Sequence, residues 1–259
     1  VHIVEPEEGR LAGGDVGAGR LASPESIVGA AARVLGPTDR SGVRGGVSAG
    51  GTREPIDAGR VIANRSSGQP GDAVAAAAAA RGAAVTLVSS VSLPTPVGVE
   101  LVAVETAAQM QSAMETHAAD SDVVVMTAAV ADFRPAVAAG GKLKKRDGVP
   151  EIVLEPTPDI LAGLGEAKPA GQVLVGFAAE TDDLLANATA KLATKRLDLI
   201  VANDVGAPQV GFAHDTNAVT LLRPDAKPVE IDLADKRDVA RAVINTIVEI
   251  RATTQAGKN

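Results

Sequence analysis

The sequence predicts an α/β fold, a Rossmann-like, mostly parallel sheet flanked by helices, with a small β appendage. Three observations predict it. Short apolar runs alternate with helical stretches of about 10–15 residues, the order that builds βαβ units. The length, 259 residues, sits near the ceiling of roughly 250–300 residues for one hydrophobic core. The 46% hydrophobic content lies almost wholly in Ala, Val, Leu and Ile, because the aromatics are Phe133, Phe177 and Phe212 alone.

Residues 1–22 are Gly-rich, hold no apolar period and read as a tail. Ser23-Pro24-Glu25 supplies an N-cap, a first-turn proline and a first-turn acid for a helix that ends at Leu35, before Gly36-Pro37. The expected division is a tail over 1–36, a linker over 37–46 and a main domain over 47–259. Val43–Ala49 is a strand weakened by Gly45-Gly46. An Ala-rich helix, Gly71–Arg81, stops at Gly82, and Val85–Val88 is a strand. Thr106 caps a helix through His117, ahead of the apolar strand Val123–Thr127. A short helix from Asp159, strand Val173–Phe177, helix Asp182–Arg196 and strand Leu199–Ala202 follow. Val219–Leu222 and Val229–Ile231 form a hairpin, and Lys236–Ala252 is the closing helix.

Composition excludes several chemistries. The chain has no cysteine, hence no disulfide, thiolate nucleophile or Cys-ligated metal, and no tyrosine to act as acid or base. Lys and Arg number 25 against 32 Asp and Glu, a net charge of −7 that disfavours nucleic-acid binding through a basic face. No apolar run approaches the ~20 residues of a membrane helix, and the first residues lack a signal-peptide pattern. A cytoplasmic protein without nucleic-acid or membrane partners is the expectation.

In a parallel sheet, ligands gather at the carboxyl ends of strands, near the switch in strand order. The segments after the strands are correspondingly polar. Ala49-Gly50-Gly51-Thr52-Arg53 lets backbone approach a ligand and offers donors, without the G-x-G-x-x-G of dinucleotide binding. Asn64-Arg65-Ser66-Ser67-Gly68 converges on a helix start and suits an anion, although a serine there is commonly an ordinary cap. Ala128-Ala129-Val130-Ala131-Asp132 closes the most apolar strand, and Gly140-Gly141-Lys142-Leu143-Lys144-Lys145 suits a lid over phosphates or, on its own, a solvated loop. Pro158-Asp159-Ile160-Leu161, Gly176-Phe177, and Lys191 with Lys195 four residues on are weak signals singly. Asp132 suits a ribose hydroxyl, a base amine or, through water, a metal, and direct metal ligands are not assigned.

In order, GGTREPID, ANRSSG, AAVADFRP with KLKK, PTPDIL, GFAAET, K-x-x-x-K before LDLIVAND, and GFAHDTNAV resemble the bacterial phosphopantothenoylcysteine synthetases over roughly residues 47–222. That family comprises CTP-dependent ligases of coenzyme A biosynthesis. The resemblance implies that 4′-phosphopantothenate is activated by CTP as an acyl-cytidylate and then joined to L-cysteine. It implies CTP and Mg²⁺ as co-substrate and ion, and a homodimer. It places CTP at Gly51, Ala128, Asp132, Lys142, Pro158, Asp159, Ile160, Leu161, Phe177, Lys191 and Lys195, and phosphopantothenate at Arg60, Asn64, Ser66, Gly68 and Ala129. It gives Lys142 a part in forming the acyl-cytidylate and Asn64 a part in its attack by cysteine. The tail resembles the last segment of the flavin-dependent decarboxylase fused ahead of this ligase in many bacteria. Gly13 replaces that enzyme's cysteine acid, FMN would belong to a decarboxylase domain these residues lack, and decarboxylation is not expected of the chain. Two further departures are Gln69, where many relatives have lysine, and Ala58-Gly59 before Arg60, a looser turn that could shift Arg60.

Two other functions compete. A nicotinamide-dependent oxidoreductase would use a Tyr-x-x-x-Lys pair, and there is no tyrosine. A catalytically silent dimerisation domain would not need Asn64, Asp132 and the lysines, all of which are present.

Overall fold

The stretch read as a tail carries a two-stranded antiparallel ribbon, β1 (Glu7–Arg10) with β2 (Val16–Arg20). The sequence gives no warning because a short ribbon over no core needs no alternation of apolar and polar residues. Glu7 Oε1 accepts from Ser23 N and Ser26 Oγ, both at 2.9 Å, tying the ribbon to helix α1 (Pro24–Leu35). Ser23 caps that helix by accepting from Ser26 N at 3.2 Å, as its Ser-Pro-Glu start predicts. The computed structural model describes residues 2–180, 183–204, 216–224 and 226–256.

The central sheet begins with β3 (Arg44–Ala49), so a strand starts inside the stretch expected to be a linker. After a side ribbon of β4 (Arg53–Asp57) and β5 (Arg60–Ala63), helix α2 (Gln69–Ala80) leads to β6 (Ala84–Ser89) and β7 (Val99–Ala103). Helix α3 (Ala107–Ala118) then leads to β8 (Val123–Met126). A second ribbon, β9 (Phe133–Pro135) with β10 (Leu154–Pro156), precedes α4 (Ile160–Ala167) and β11 (Val173–Glu180). Helix α5 (Leu184–Thr194), strands β12 (Leu199–Asp204), β13 (Thr216–Leu222) and β14 (Val229–Asp235), and helix α6 (Lys236–Ala256) complete the order. The predicted start of α5 at Asp182, Phe212, Thr181 of GFAAET and the first five residues of GFAHDTNAV lie outside the described residues.

The eight strands run in the order β14-β13-β12-β11-β8-β3-β6-β7. From β12 to β7 every pair is parallel, while β13 is antiparallel to both its neighbours. The closing hairpin is therefore the antiparallel edge of this sheet, and the small β pieces stand elsewhere, as the ribbons. Edge strand β7 escapes a periodicity search because its Val-Glu-Leu-Val-Ala run is mostly exposed.

Alternation sorts the core into two layers. Val123, Val125, Val173, Val175, Leu199 and Val201 face α2 and α6, meeting Val74, Val243 and Ile247. Val124, Leu174 and Ile200 face α3, α4 and α5, meeting Met110, Met114, Leu164 and Leu192. Both faces are covered, which is why these strands read as unbroken apolar runs. Glycine at position 45 leaves a cavity of about 40 Å³ beneath α2 and α6, lined by Val47, Val74, Val125 and Ile247 among others. Among the described residues no helix is long and apolar enough to cross a membrane.

From β3, the chain moves to β6 and β7 on one side and later returns to β8, β11 and β12 on the other. The switch in strand order thus falls between β3 and β8, and it opens at their carboxyl ends.

Candidate functional site

The loops leaving β3 and β8 continue to hydrogen-bond past the strand ends. Ser48 Oγ, fully buried, accepts the amides of Thr127 at 3.2 Å and Ala128 at 3.1 Å. Ala129 N donates to Gly50 O at 2.8 Å, Gly51 bridges Ala129, and Ala131 N donates to Thr52 Oγ1 at 2.9 Å. Gly50 has φ of +87°, and a Cβ there would stand 2.4 Å from Ser90 Oγ. A Cβ on Gly51 would stand 2.5 Å from the carbonyl oxygen of Asn64. Glycine at both positions is a steric requirement of this crevice.

Asn64, exposed at the end of β5, reaches across it and donates from Nδ2 to Val130 O at 3.0 Å. Ser66, Ser67 and Gly68 follow and lead into α2. Gly68 takes a left-handed φ of +76°, and Pro70 occupies the first turn. The helix packs against the sheet through Gly71, where a Cβ would stand 2.6 Å from both Ala49 Cβ and Thr127 Oγ1. The start of α2 thus crowds the carboxyl end of β3, a setting that suits an anion.

Lys142 is exposed, and the loop that carries it is anchored at its neighbour. Leu143 N donates to Asp57 Oδ2 at 3.0 Å, and Arg60 donates to Leu143 O from both terminal nitrogens at 3.3 Å. Ala139 N donates to Ile56 O at 2.9 Å. Asp57, whose side chain is wholly buried, also accepts Gly59 N at 2.8 Å and pairs with Arg60. The Gly59 amide, with Leu143 N and the Arg60 charge, holds its carboxyl below the ordinary value against the opposing effect of burial. With the Ala58-Gly59 turn, Arg60 lies against this loop at Leu143. A Cβ on Gly140 or Gly141 would meet nothing within 4 Å.

A second cluster forms where α4 starts. Asp159 caps the helix by accepting Ala162 N at 3.0 Å and forms an ion pair with Lys195 at 2.8 Å. Partial burial pushes its carboxyl up, but Lys195, the Ala162 amide and the Lys191 charge outweigh it, and the net shift is downward. Pro158–Leu161, Lys191 and Lys195, distant in sequence, are brought together here. Leu161 packs on β11 so closely that a Cβ on Gly176 would stand 2.8 Å from Leu161 Cδ2. Phe177 emerges on the opposite face, against the α2–α6 layer. The sheet therefore separates its ring from Ile160 and Lys195. Asp132 is exposed beside the first crevice, and its carbonyl accepts Thr157 N at 2.9 Å, linking the two regions. Phe133 projects from β9 with 54% exposure.

Sequence reasoning gave no part to Ser48 or Asp57. A serine inside an otherwise apolar strand end and an acid three residues before an arginine were the available signals.

Residues 41–250 match the family described as DNA/pantothenate metabolism flavoprotein C-terminal domain. The chain belongs to this family. Among relatives of this flavoprotein C-terminal domain, the Coenzyme A biosynthesis bifunctional protein CoaBC of Bacillus subtilis is 44% identical over 97% of the chain and 63% of its own length. A Cysteine/Cysteine sulfinic acid decarboxylase from an unknown prokaryotic organism is 41% identical over 96% of the chain and 71% of its own length. The chain thus spans only part of these relatives. The crystal structure of the C-terminal domain of a CoaBC protein superimposes with a TM-score of 0.69 at 41% identity, covering 80% of this chain and 94% of that one. The family's domain fold is therefore the fold described above.

Proposed function

We propose that this chain is the ligase that joins 4′-phosphopantothenate to L-cysteine at the expense of CTP, in coenzyme A biosynthesis. The observation that carries the proposal is the crevice between β3 and β8. There Asn64 spans to Val130, the N-terminus of α2 opens beside the end of β3, and a lysine loop is clasped by Asp57 and Arg60. Membership of the family and the CoaBC relatives support it.

In the first step a carboxylate oxygen of 4′-phosphopantothenate attacks the α-phosphorus of CTP, and the bond to pyrophosphate breaks. In the second the cysteine amine attacks the acyl carbon, CMP leaves, and the amine's proton passes to solvent. Neither step needs a covalent enzyme intermediate, only positioning and charge neutralisation. Lys142 neutralises phosphate charge when the lid closes. Asn64, with Arg60, Ser66, Gly68 and Ala129, holds the acid. Gly51, Ala128, Asp132, Lys142, Pro158–Leu161, Lys191 and Lys195 receive the nucleotide, and Phe177 joins them only through its backbone, because its ring lies on the other face of the sheet. For the last two lysines this means that the Asp159–Lys195 pair rearranges on binding. Mg²⁺ would be held mainly by the oxygens of the triphosphate and would neutralise part of its charge, as it does where few protein ligands are dedicated to it.

We further propose a cytoplasmic homodimer, and that residues 1–36, outside the family match, correspond to the end of a preceding decarboxylase segment. The chain is tested with 4′-phosphopantothenate, Mg²⁺ and CTP or ATP. Pyrophosphate release without cysteine, then CMP release on adding it, is the expected signature. Absence of nucleotide turnover together with NADPH binding would overturn the ligase assignment. Asn64→Asp should release pyrophosphate but stall before CMP, and Lys142→Gln should release neither.

A further inference from the structure

The loop that leaves β8 is held from two sides at one buried residue, Ala131. On one side stands Thr52, fully buried in the turn between β3 and β4. Its hydroxyl accepts Ala131 N at 2.9 Å, and its amide donates to Ala129 O at 3.3 Å. On the other side Thr157 donates its hydroxyl to Ala131 O and its amide to Asp132 O, the latter at 2.9 Å. The two threonines and the peptide groups of Ala131 thus form a bracket across three segments distant in sequence. Thr52 belongs to the crevice that Asn64 crosses to reach Val130. Thr157 stands one residue beyond β10 and two before Asp159, whose cap on Ala162 and ion pair with Lys195 fix the start of α4. It also closes the hairpin that carries the lysine loop, because Pro156 is paired with Phe133 at the base of β9 and β10.

The bracket joins the two regions between which a bond must form. A carboxylate oxygen attacks the α-phosphorus readily only when the two are held about 3–3.5 Å apart and aligned, and an error of about 1 Å can cost a hundredfold in rate. Both hydroxyls are uncharged and bond to backbone, so what they fix is distance. We propose that Thr157 is a positioning residue for formation of the acyl-cytidylate. Through Ala131 and Thr52 it sets the separation between the acid, held at Asn64, Ser66 and Ala129, and the nucleotide, held at Asp132 and Pro158–Leu161. It rests on the ligase assignment above, specifically on the two substrates lying at those residues. In that step a bond forms between a carboxylate oxygen and the α-phosphorus, and the bond from that phosphorus to pyrophosphate breaks, its electron pair leaving with pyrophosphate. Once the cytidylate exists, acid and nucleotide are one molecule and their spacing is covalent. The bracket then has no part in the attack by cysteine.

The experiment uses the full chain with 4′-phosphopantothenate, Mg²⁺ and CTP, and follows pyrophosphate and CMP separately. Thr157→Val keeps the shape of the side chain and removes the hydroxyl. Pyrophosphate release without cysteine should slow by about 10-fold or more, with KM for each substrate changed by less than about 2-fold. CMP release from cytidylate accumulated before cysteine is added should also change by less than about 2-fold. Thr157→Ser, which keeps the hydroxyl, should match the parent. Thr52→Val, which removes the acceptor of the Ala131 amide, should reproduce the loss in the first step alone. Thr157→Ala leaves room for a water at the freed carbonyl, so it carries the same test should the valine variant fail to fold. Unchanged pyrophosphate release in the valine and alanine variants would overturn the proposal. So would equal losses in the two steps or a rise in either KM, which mark a bond that only supports the fold. If the unsubstituted chain turns over no CTP with phosphopantothenate, the ligase assignment itself falls and takes this proposal with it. An active parent with indifferent Thr157 variants overturns the proposal alone.

Discussion

Arg60 grips the carbonyl oxygen of Leu143 with both terminal nitrogens, each at 3.3 Å, across 83 residues of sequence. With the Leu143 amide on Asp57, this makes the lysine loop an anchored flap whose fixed point lies one residue from Lys142. Asp57→Ala leaves the Leu143 and Gly59 amides without their acceptor, at a cost of about 1–3 kcal/mol. Trypsin should then cut more rapidly after Lys142, Lys144, Lys145 and Arg146. Equal cleavage rates in parent and variant, followed by mass spectrometry, would remove the clasp from the account.

Lys195 ties the end of α5 to the start of α4 through Asp159. If both receive the nucleotide, Lys195→Met should raise the KM for CTP by about 10-fold or more while leaving that for phosphopantothenate alone. Steady-state kinetics with each substrate varied separately decide this, and an equal rise in both constants would point to a structural role.

Asp72, in the first turn of α2, has its carboxyl pushed up by burial from 3.8 to about 6. Between those values the folded chain keeps a proton that the unfolded chain has lost, so this group lowers stability as pH rises through that window. Asp57 and Asp159 act in the opposite sense: their contribution is present above the ordinary carboxylate value and is lost as pH falls through their lowered ones. Asp72→Asn should therefore leave Tm unchanged near pH 4 and raise it above about pH 6.5. Thermal melts across that range test the sign, and a gain confined to low pH would contradict it.

Two glycines near the crevice should respond oppositely to a methyl group. At Gly71 a Cβ meets three atoms inside 3 Å, so Gly71→Ala should destabilise by about 1–3 kcal/mol and displace the α2 N-terminus. At Gly45 the nearest atom to a Cβ is 3.9 Å away and a cavity adjoins it, so Gly45→Ala should stabilise by up to about 1 kcal/mol. Urea midpoints with unchanged m-values report both.

Much of this was legible in the sequence, for physical reasons. Strands buried on both faces announce themselves, as β8 and β12 do through Val123–Met126 and Leu199–Ala202. Helix starts were marked by Ser23, Thr106 and Asp159, each of which caps in the structure. The ribbons were not legible, because β1–β2, β4–β5 and β9–β10 gain their pairing from backbone bonds and leave most side chains outside the core. At the crevice, the phrases containing Asn64 and Lys142 stood out by composition, whereas the phrase containing Asp159, in the second cluster, was a weak signal by itself. The clasp of Asp57 on Leu143 and the bond from Ala131 to Thr52 join residues too far apart in sequence for any local pattern to pair them.

The ring of Phe177 lies against the α2–α6 layer in a chain without tryptophan or tyrosine. Optically, the protein is therefore almost silent in the near ultraviolet, and a tryptophan placed at that one position would be the sole fluorophore excited there. Phe177→Trp would turn the interior strand β11 into its own reporter, able to follow ligand arrival and local unfolding without an attached dye.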